Sequence, residues 1–402
     1  MTADVAGNRS VIFGCTTMWQ AINVNQGAAV IFRDCTIGDG RLGLVFNQGF
    51  NNSLTELRGN YFVANSTAIT AINVNIFTFA TFSGNVFRAK WGIGPFVLPL
   101  LPPHGANEPI YGMQLTGVAG TIGTSGTQNA FYQFTSAILA NSSNFTVNNC
   151  RFADNRDPGW GGWGGGVGIW AINSTLTIQN LFSNAASCEF IGNRRAVRSE
   201  NTIGLTIKNA HFQQQAVVDI EVISSINPCN IDISNNIIDI AVPTERSIFV
   251  ERSGQGGLIH TRVQSNIVTF PSPALGTFLT GDRRIMEFQA RAGALDQAVI
   301  ANNQITCSYG NGNQTNAFAR TIDGIWIQGL ADGYQVSGNI IIYTNPNAMP
   351  NADVVSVAIG MVTNNGINNI LGPNNTITSQ LFINQPVPLR ESWLRCGLHI
   401  VG

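Results

Sequence analysis

NIDISNNII, residues 230–238, alternates apolar and polar residues from Ile231 to Ser234, sets two Asn side by side, and then resumes with an apolar pair. Variants of this phrase recur along almost the whole chain: VIFRDCTI from Val30, LTELRGNYF from Leu54, FATFSGNVF from Phe79, FTVNNCRF from Phe145 and LTIKNAHF from Leu205. RVQSNIV from Arg262, AVIANNQI from Ala298, YQVSGNII from Tyr334 and a looser ILGPNNTI from Ile370 continue the series. Self-similarity at a period of about 20 to 50 residues marks a repeat architecture, because no single unit can bury its apolar face alone.

With the Asx residue as a ruler, Asp34, Asn60 and Asn85 are about 25 residues apart, and Asn180, Asn209, Asn236 and Asn266 about 30. Asn303, Asn339 and Asn375 step by about 36, which longer outward loops on the same coil would explain. The interval from Asn85 to Asn149 holds two coils and an insertion. Period-two alternation of Ile, Val, Phe and Thr predicts strands with one face inside. No segment shows the three-and-four spacing of an amphipathic helix. A propeller, with a period nearer 40 to 45 and its own dipeptide signatures, ranks second.

The expected fold is therefore all-β, a single-domain parallel β-helix solenoid of about twelve coils, roughly 55 to 60 Å long at one strand spacing per coil. Repeats span about residues 11–380, with insertions at about 88–128 and 153–168 and an end segment at 381–402. Asn tolerates the left-handed backbone needed where one strand turns into the next, and its amide can bond its counterparts one coil above and below. An asparagine ladder follows. Phe62, Phe87, Phe152 and Phe212, two or three places on, predict an internal aromatic ladder. Composition agrees: charged residues are 11% against a usual ~25%, and 43 Gly and 45 Asn supply turns.

A net charge of −1 gives no basic field for nucleic acid, and Lys90 and Lys208 stand against 19 Arg. Seven Cys leave at least one unpaired. Cys35 and Cys150 follow Asp34 and Asn149 in equivalent places, which reads as buried packing rather than disulfides. Cys-x-x-Cys and zinc-type Cys/His spacing are absent, and His104, His211, His260 and His399 are isolated, so no metal site and no cofactor are expected. No apolar run reaches 18 residues, which argues against membrane insertion by a helix. MTADVAGNRS is not a signal peptide. Nothing before Val11 would cap the first coil, so the expectation is a segment of a longer protein or an end that stacks on a partner. The eight Asn-x-Ser/Thr sequons are about what Asn abundance supplies by chance.

Over roughly residues 11–380 these repeats resemble the right-handed parallel β-helix proteins of the pectin-lyase-like superfamily. TTMWQAINVNQGAAVIFRDCTIGDG, from Thr16 to Gly40, is similar more narrowly to β-helix repeat proteins secreted by Bacteroidota, in which a Trp-x-x-Ile strand, a Gly turn and an apolar ladder strand follow one another. The resemblance implies an extracellular or cell-surface location. It does not fix an activity, because the superfamily holds lyases, hydrolases, tailspikes and adhesins. The Asn-Thr-Asp, paired-Asp, Gly-His-Gly and Arg-Ile-Lys set of polygalacturonases is missing. Arg156-Asp157-Pro158 is a poor approach to the pectate-lyase base, and a chondroitinase-like pair would need Lys90 or Lys208 outside its motif.

Two stretches break the rhythm. RFADNRDPGWGGWGGG, Arg151 to Gly166, sets Asp154, Arg156 and Asp157 beside Trp160 and Trp163, and rings fringed by Arg and Asp suit sugar stacking and hydroxyl bonding. The plainer reading is a loop whose tryptophans cover the coil. The insertion from Lys90 to Tyr111 is rich in Pro, cannot join a central strand, and is expected to fold over the coils. Arg198, Lys208 and His211, with Asp219 or Glu221, would form an acid/base cluster if register set them on one face. The Glu245-Arg246, Glu251-Arg252 and Asp282-Arg283-Arg284 pairs read as solvated loop ends.

The expected function is a non-catalytic extracellular scaffold or adhesin that presents loops to a polysaccharide or surface glycan, or assembles into homo-oligomers or filaments through coil ends. The alternative is a polysaccharide lyase or glycoside hydrolase, with Ca²⁺ only in the lyase case.

Overall fold

The computed structural model describes residues 2–4, 9–90, 100–105, 108–155, 166–180, 188–224, 229–240, 246–252, 259–270, 283–290, 296–308, 322–329, 333–344, 358–363, 370–379 and 398–401. These residues form strands and turns, and the fold is an all-β parallel β-helix solenoid. Contacts group them into two compact units, Met1–Glu200 and Asn201–Gly402, a division that the repeat does not reveal.

A coil carries three strands, one for each of three sheets. In unit 1, Ser136–Asn141 lies in sheet I, Asn144–Val147 in sheet II and Cys150–Ala153 in sheet III. Each pairs in parallel with its counterpart one coil on or back, as in Ile138↔Ile169, Phe145↔Leu176 and Phe152↔Phe190. In unit 2, Arg246–Arg252, Ile259–Gln264 and Ile267–Phe270 form the same set. Residues 111–122, inside the expected insertion 88–128, form the coil strands Tyr111–Thr116 and Ala119–Ile122. The described part of the Pro-rich stretch meets the first coil, where the Met18 N–H donates to the Pro102 carbonyl at 2.9 Å. Before that coil, Thr2–Asp4 pairs antiparallel with Arg9–Ile12, an addition that the repeat did not suggest.

The two-residue turn from sheet II to sheet III separates two tasks that the sequence reading had given to one Asx. The first residue takes the left-handed conformation: Asp34, Gly59, Gly84, Asn149, Asn209, Asn235, Ser265, Asn302, Gly338 and Asn374 all have φ between 47° and 67°. The second points inward and forms the ladder. Asn266 shows the pattern. Its Nδ2 donates to the Ile233 carbonyl at 3.0 Å and to Asn303 Oδ1 at 2.9 Å, while its Oδ1 accepts from Asn236 N at 3.1 Å and Asn236 Nδ2 at 2.9 Å. Asn60, Asn85 and Asn129 repeat this in unit 1, with the insertion lying between the last two. Asp34, Asn149 and Asn209 are thus turn residues rather than rungs.

Cys150 stands at the rung position beside Asn129 by register, and Cys188 stands opposite Cys150. The Cys188 Sγ lies 3.6 Å from the Val147 carbonyl, in the place an Asn amide would use. Both thiols are free and buried, which bears out the packing reading at Cys150, whereas Cys35 is free but only part-buried; burial pushes Cys188 up to about 12. Cys188, not Asn180, therefore supplies that rung.

Two further turns have ladders of their own. From sheet III to sheet I, Asn155 Nδ2 donates to Asn193 Oδ1 at 2.7 Å, and Asn193 Nδ2 donates to the Phe152 carbonyl at 3.0 Å. From sheet I to sheet II the rung is serine: Val118 N–H donates to Ser143 Oγ and Ser143 N–H to Ser174 Oγ, at 3.1 and 3.0 Å. Asn141-Ser142-Ser143 and Asn173-Ser174-Thr175, two of the sequons, are thereby explained as turn sequences.

Inside unit 1, Phe62, Phe87, Phe131, Phe152 and Phe190 stack in order, with ring centroids 4.5 to 5.1 Å apart and interplanar angles from 4° to 14°. Such pairs contribute roughly 0.5–1.5 kcal/mol each beyond their area. In unit 2, Phe212 begins a row that passes to Ile238, Val268, Ile305 and Ile341. Phe46, Phe50, Phe77 and Phe79 pack as a tilted cluster that joins the stack through Phe82.

Asn266→Ala removes an amide that serves two neighbouring rungs and a carbonyl, all buried. The expected loss is about 3 kcal/mol in urea unfolding. A loss below about 0.5 kcal/mol would mean that the ladder contributes little to stability.

Candidate functional site

Trp160, Trp163, Arg156 and Asp157 lie outside the described residues. Asp154 is described: it is exposed, holds φ at 53° and donates its N–H to the Ile191 carbonyl at 2.9 Å. That is a turn role.

The acid/base candidates do not converge on one face. Arg198, in the unit 1 strand Arg195–Glu200, holds Glu200 Oε1 at 2.5 Å, and its guanidinium lies 5.3 Å from the Trp170 ring centre. Lys208 belongs to sheet II of unit 2, where Lys208 and Arg262 bind Asp232 at 2.9 and 2.8 Å. Those two cations hold the Asp232 carboxyl below its usual range, although partial burial opposes them. His211 belongs to sheet III and bonds Asp239 through Nε2 at 2.9 Å, with Gln213 Nε2 3.1 Å away.

Asp219 faces inward. By register it lies opposite Ser247, in an interior row that continues to Gly324, where a Cβ would come within 3.1 Å of the Ile341 side chain. Burial pushes its carboxyl well above the ordinary range, Asp239 adds to the rise, and the Ser247 hydroxyl works against it. A buried acid with a raised value keeps its proton and cannot orient a base. Glu221 lies on the outer face of sheet I, the opposite side of the same strand.

That outer face carries a cluster that the sequence reading took for loop ends. Arg246 and Arg284 lie within the strands Arg246–Arg252 and Arg283–Ala290, and Arg252 and Arg283 are buried. At the centre is Glu287, whose side chain is 0% exposed. Arg246 Nε holds its Oε2 at 2.5 Å, Arg284 NH1 its Oε1 at 2.5 Å, and Gln289 and Gln328 donate to Oε1 at 2.6 and 3.1 Å. Three donors on Oε1 and the Arg246 cation against Oε2 make burial of the charge tolerable. Asp323 Oδ2 lies 3.9 Å from Arg284 Nε.

Two aromatic rings complete the face. The Arg246 guanidinium is 4.4 Å from the Phe249 ring centre and that of Arg284 4.7 Å from Trp326. Trp326 donates its indole N–H to Gln328 Oε1 at 3.1 Å. Its ring lies across Gly360 on the next strand, where a Cβ would fall 2.4 Å from Cε3. Glycine is required there for the ring to lie down.

The register, not the sequence, aligns them: Arg246 and Phe249, Arg284 and Glu287, and Asp323 and Trp326 are each three residues apart and directly paired across strands. Chemically, Glu287 is enclosed and positions the arginines, and the arginines and Trp326 form the accessible part. Among the described residues no cluster of three or more His, Cys, Asp and Glu could hold a metal ion, and no helix is long and apolar enough to cross a membrane. Comparison with protein-family models, curated proteins and solved structures finds no match.

Glu287→Ala leaves two guanidiniums without their shared partner, and the expected cost is about 3 kcal/mol by urea unfolding. An unchanged midpoint would mean that the clamp does not stabilise the sheet. Asp219→Asn should stabilise the protein at pH 7.5, because burial makes the native carboxyl hold its proton more tightly than the unfolded one, which ionises above about 3.9. The gain should shrink as pH falls towards that value, and denaturant melts at pH 7.5 and 4.5 would read it. A pH-independent gain would argue against a buried protonated acid.

Proposed function

We propose that the chain is a non-catalytic, extracellular β-helix scaffold of the adhesin kind, and that the outer face of sheet I in unit 2 binds a glycan. The observation that carries this reading is Trp326, laid across Gly360 with Arg284 stacked against it and Glu287 fixing the arginines from below. An aromatic face takes the apolar face of a pyranose, and oriented N–H groups meet its hydroxyls. Rigid presentation keeps the ordering cost of binding low. The parallel coils and asparagine ladders support placing the chain with the pectin-lyase-like superfamily, and the Trp19-x-x-Ile22 opening supports the narrower likeness to secreted Bacteroidota proteins. Trp19 also lies against a glycine of the next coil, Gly40, with its indole N–H on the Gly38 carbonyl at 2.7 Å.

The rival, a polysaccharide lyase or hydrolase, has the partly exposed His211–Asp239 pair in its favour. Glu287 does not serve it, because a fully buried carboxylate held between two arginines is in no position to exchange a proton with substrate.

Incubation with neutral and acidic polysaccharides should release no reducing ends and no unsaturated products, while retention on at least one immobilised polysaccharide should be measurable. Release that disappears in His211→Ala would replace this reading with the enzymatic one.

A further inference from the structure

Resting on the glycan-binding reading, we infer that the sheet I face of unit 2 takes an uncharged, hydroxyl-rich polysaccharide rather than an acidic one. The strands Val218–Ser224, Arg246–Arg252, Arg283–Ala290 and Ile322–Gly329 carry four arginines, Arg246, Arg252, Arg283 and Arg284. They also carry Asp219, Glu221, Glu251, Glu287 and Asp323. Asp219 faces the interior and Arg252 and Arg283 are buried as well, so the outward rows set Arg246 and Arg284 against Glu221, Glu251, Glu287 and Asp323.

The outward arginines are also matched locally. Arg246 and Arg284 share Glu287, and Arg284 has Asp323 within 3.9 Å. A polyanion approaching this face meets no excess positive potential, and a carboxylate or sulfate on it would have to compete with Glu287 for the same donors.

The donors that remain suit hydroxyls. Arg246 spends Nε on Glu287 and Arg284 spends NH1, and both side chains are about a third exposed, at 34% and 28%. Stacking on Phe249 and Trp326 fixes the planes of the two guanidiniums, so their other N–H groups have set directions. Half-buried Trp326 keeps part of its indole exposed beside the stacked Arg284, and a sugar ring rests against that part. A neutral sugar needs both features and supplies no charge of its own.

The test is affinity electrophoresis and calorimetry of the full chain with dextran, laminarin and hydroxyethyl cellulose, against dextran sulfate and polygalacturonate. Each is measured at about 20 and 500 mM NaCl, since the higher salt screens exposed charge. Expected is binding to a neutral polymer that changes less than about twofold with salt and weakens about tenfold in Trp326→Ala. Gly360→Ala, which places a Cβ against the indole at ordinary backbone geometry, should weaken it in the same direction, and thermal melts confirm that each variant folds.

Preference for dextran sulfate or polygalacturonate, released by salt, would overturn the uncharged class and leave glycan binding standing. Neutral-polymer binding unmoved by either variant would overturn this face as its site. Absence of binding to every polymer would overturn both the class and the function on which it rests.

Discussion

A backbone that turns a corner inside a protein must satisfy its N–H and C=O groups away from water, and a coil whose corners are all among the described residues, such as 134–155, does so three times. Wherever an Asn fills the rung of the turn from sheet II to sheet III, one side-chain amide solves the problem for two coils at once. It binds a carbonyl of the coil behind it, accepts from the rung behind it and donates to the rung ahead. The aromatic stack, the strand register and the outward display of the remaining residues follow from that fixed corner. Serine rungs at Ser143 and Ser174 do the same with a shorter reach, and Cys188 shows that a thiol fills the space with a weaker bond.

The functional face is a product of the same constraint applied at a distance. Parallel register sets residue directly over residue, so Phe249, Glu287 and Trp326 become neighbours although long stretches of chain separate them. A carboxylate can then be enclosed by donors from three strands without a pocket being built. Glu287 gains its partners from sheet geometry, and Trp326 gains its position because the next strand offers Gly360.

How far the sequence could be read follows from which turns have fixed length. The turn from sheet II to sheet III is two residues long in most coils, so its Asx pair stays in phase with the strands on either side and announces the fold. It did not announce that Asp34 and Asn60 hold different places in that pair. Asn180 was misleading because seven undescribed residues separate it from Cys188, the true rung. Sheet I is flanked by turns of varying length, so nothing in the sequence keyed Arg246, Arg284 and Asp323 to one another. Burial of Arg252, Arg283 and Glu287 was illegible for the same reason, and paired charges passed for loop ends. The placing of Lys208 and His211 has a simpler cause: a two-residue corner lies between them and sends them to different sheets.

The Asn236, Asn266, Asn303 and Asn339 rungs all donate in one direction, from each coil to the next, and the row ends on Asn375 as acceptor. The strip is therefore polar, a row of aligned amide dipoles. A coil copied in the same orientation presents a donor to the rung ahead and an acceptor to the rung behind, so it can be inserted without disturbing its neighbours, whereas a coil in the opposite sense would set donor against donor. Internal duplication is thus a permitted way for such a chain to lengthen, and each added coil widens the outer sheet by one strand on which a new surface can be assembled.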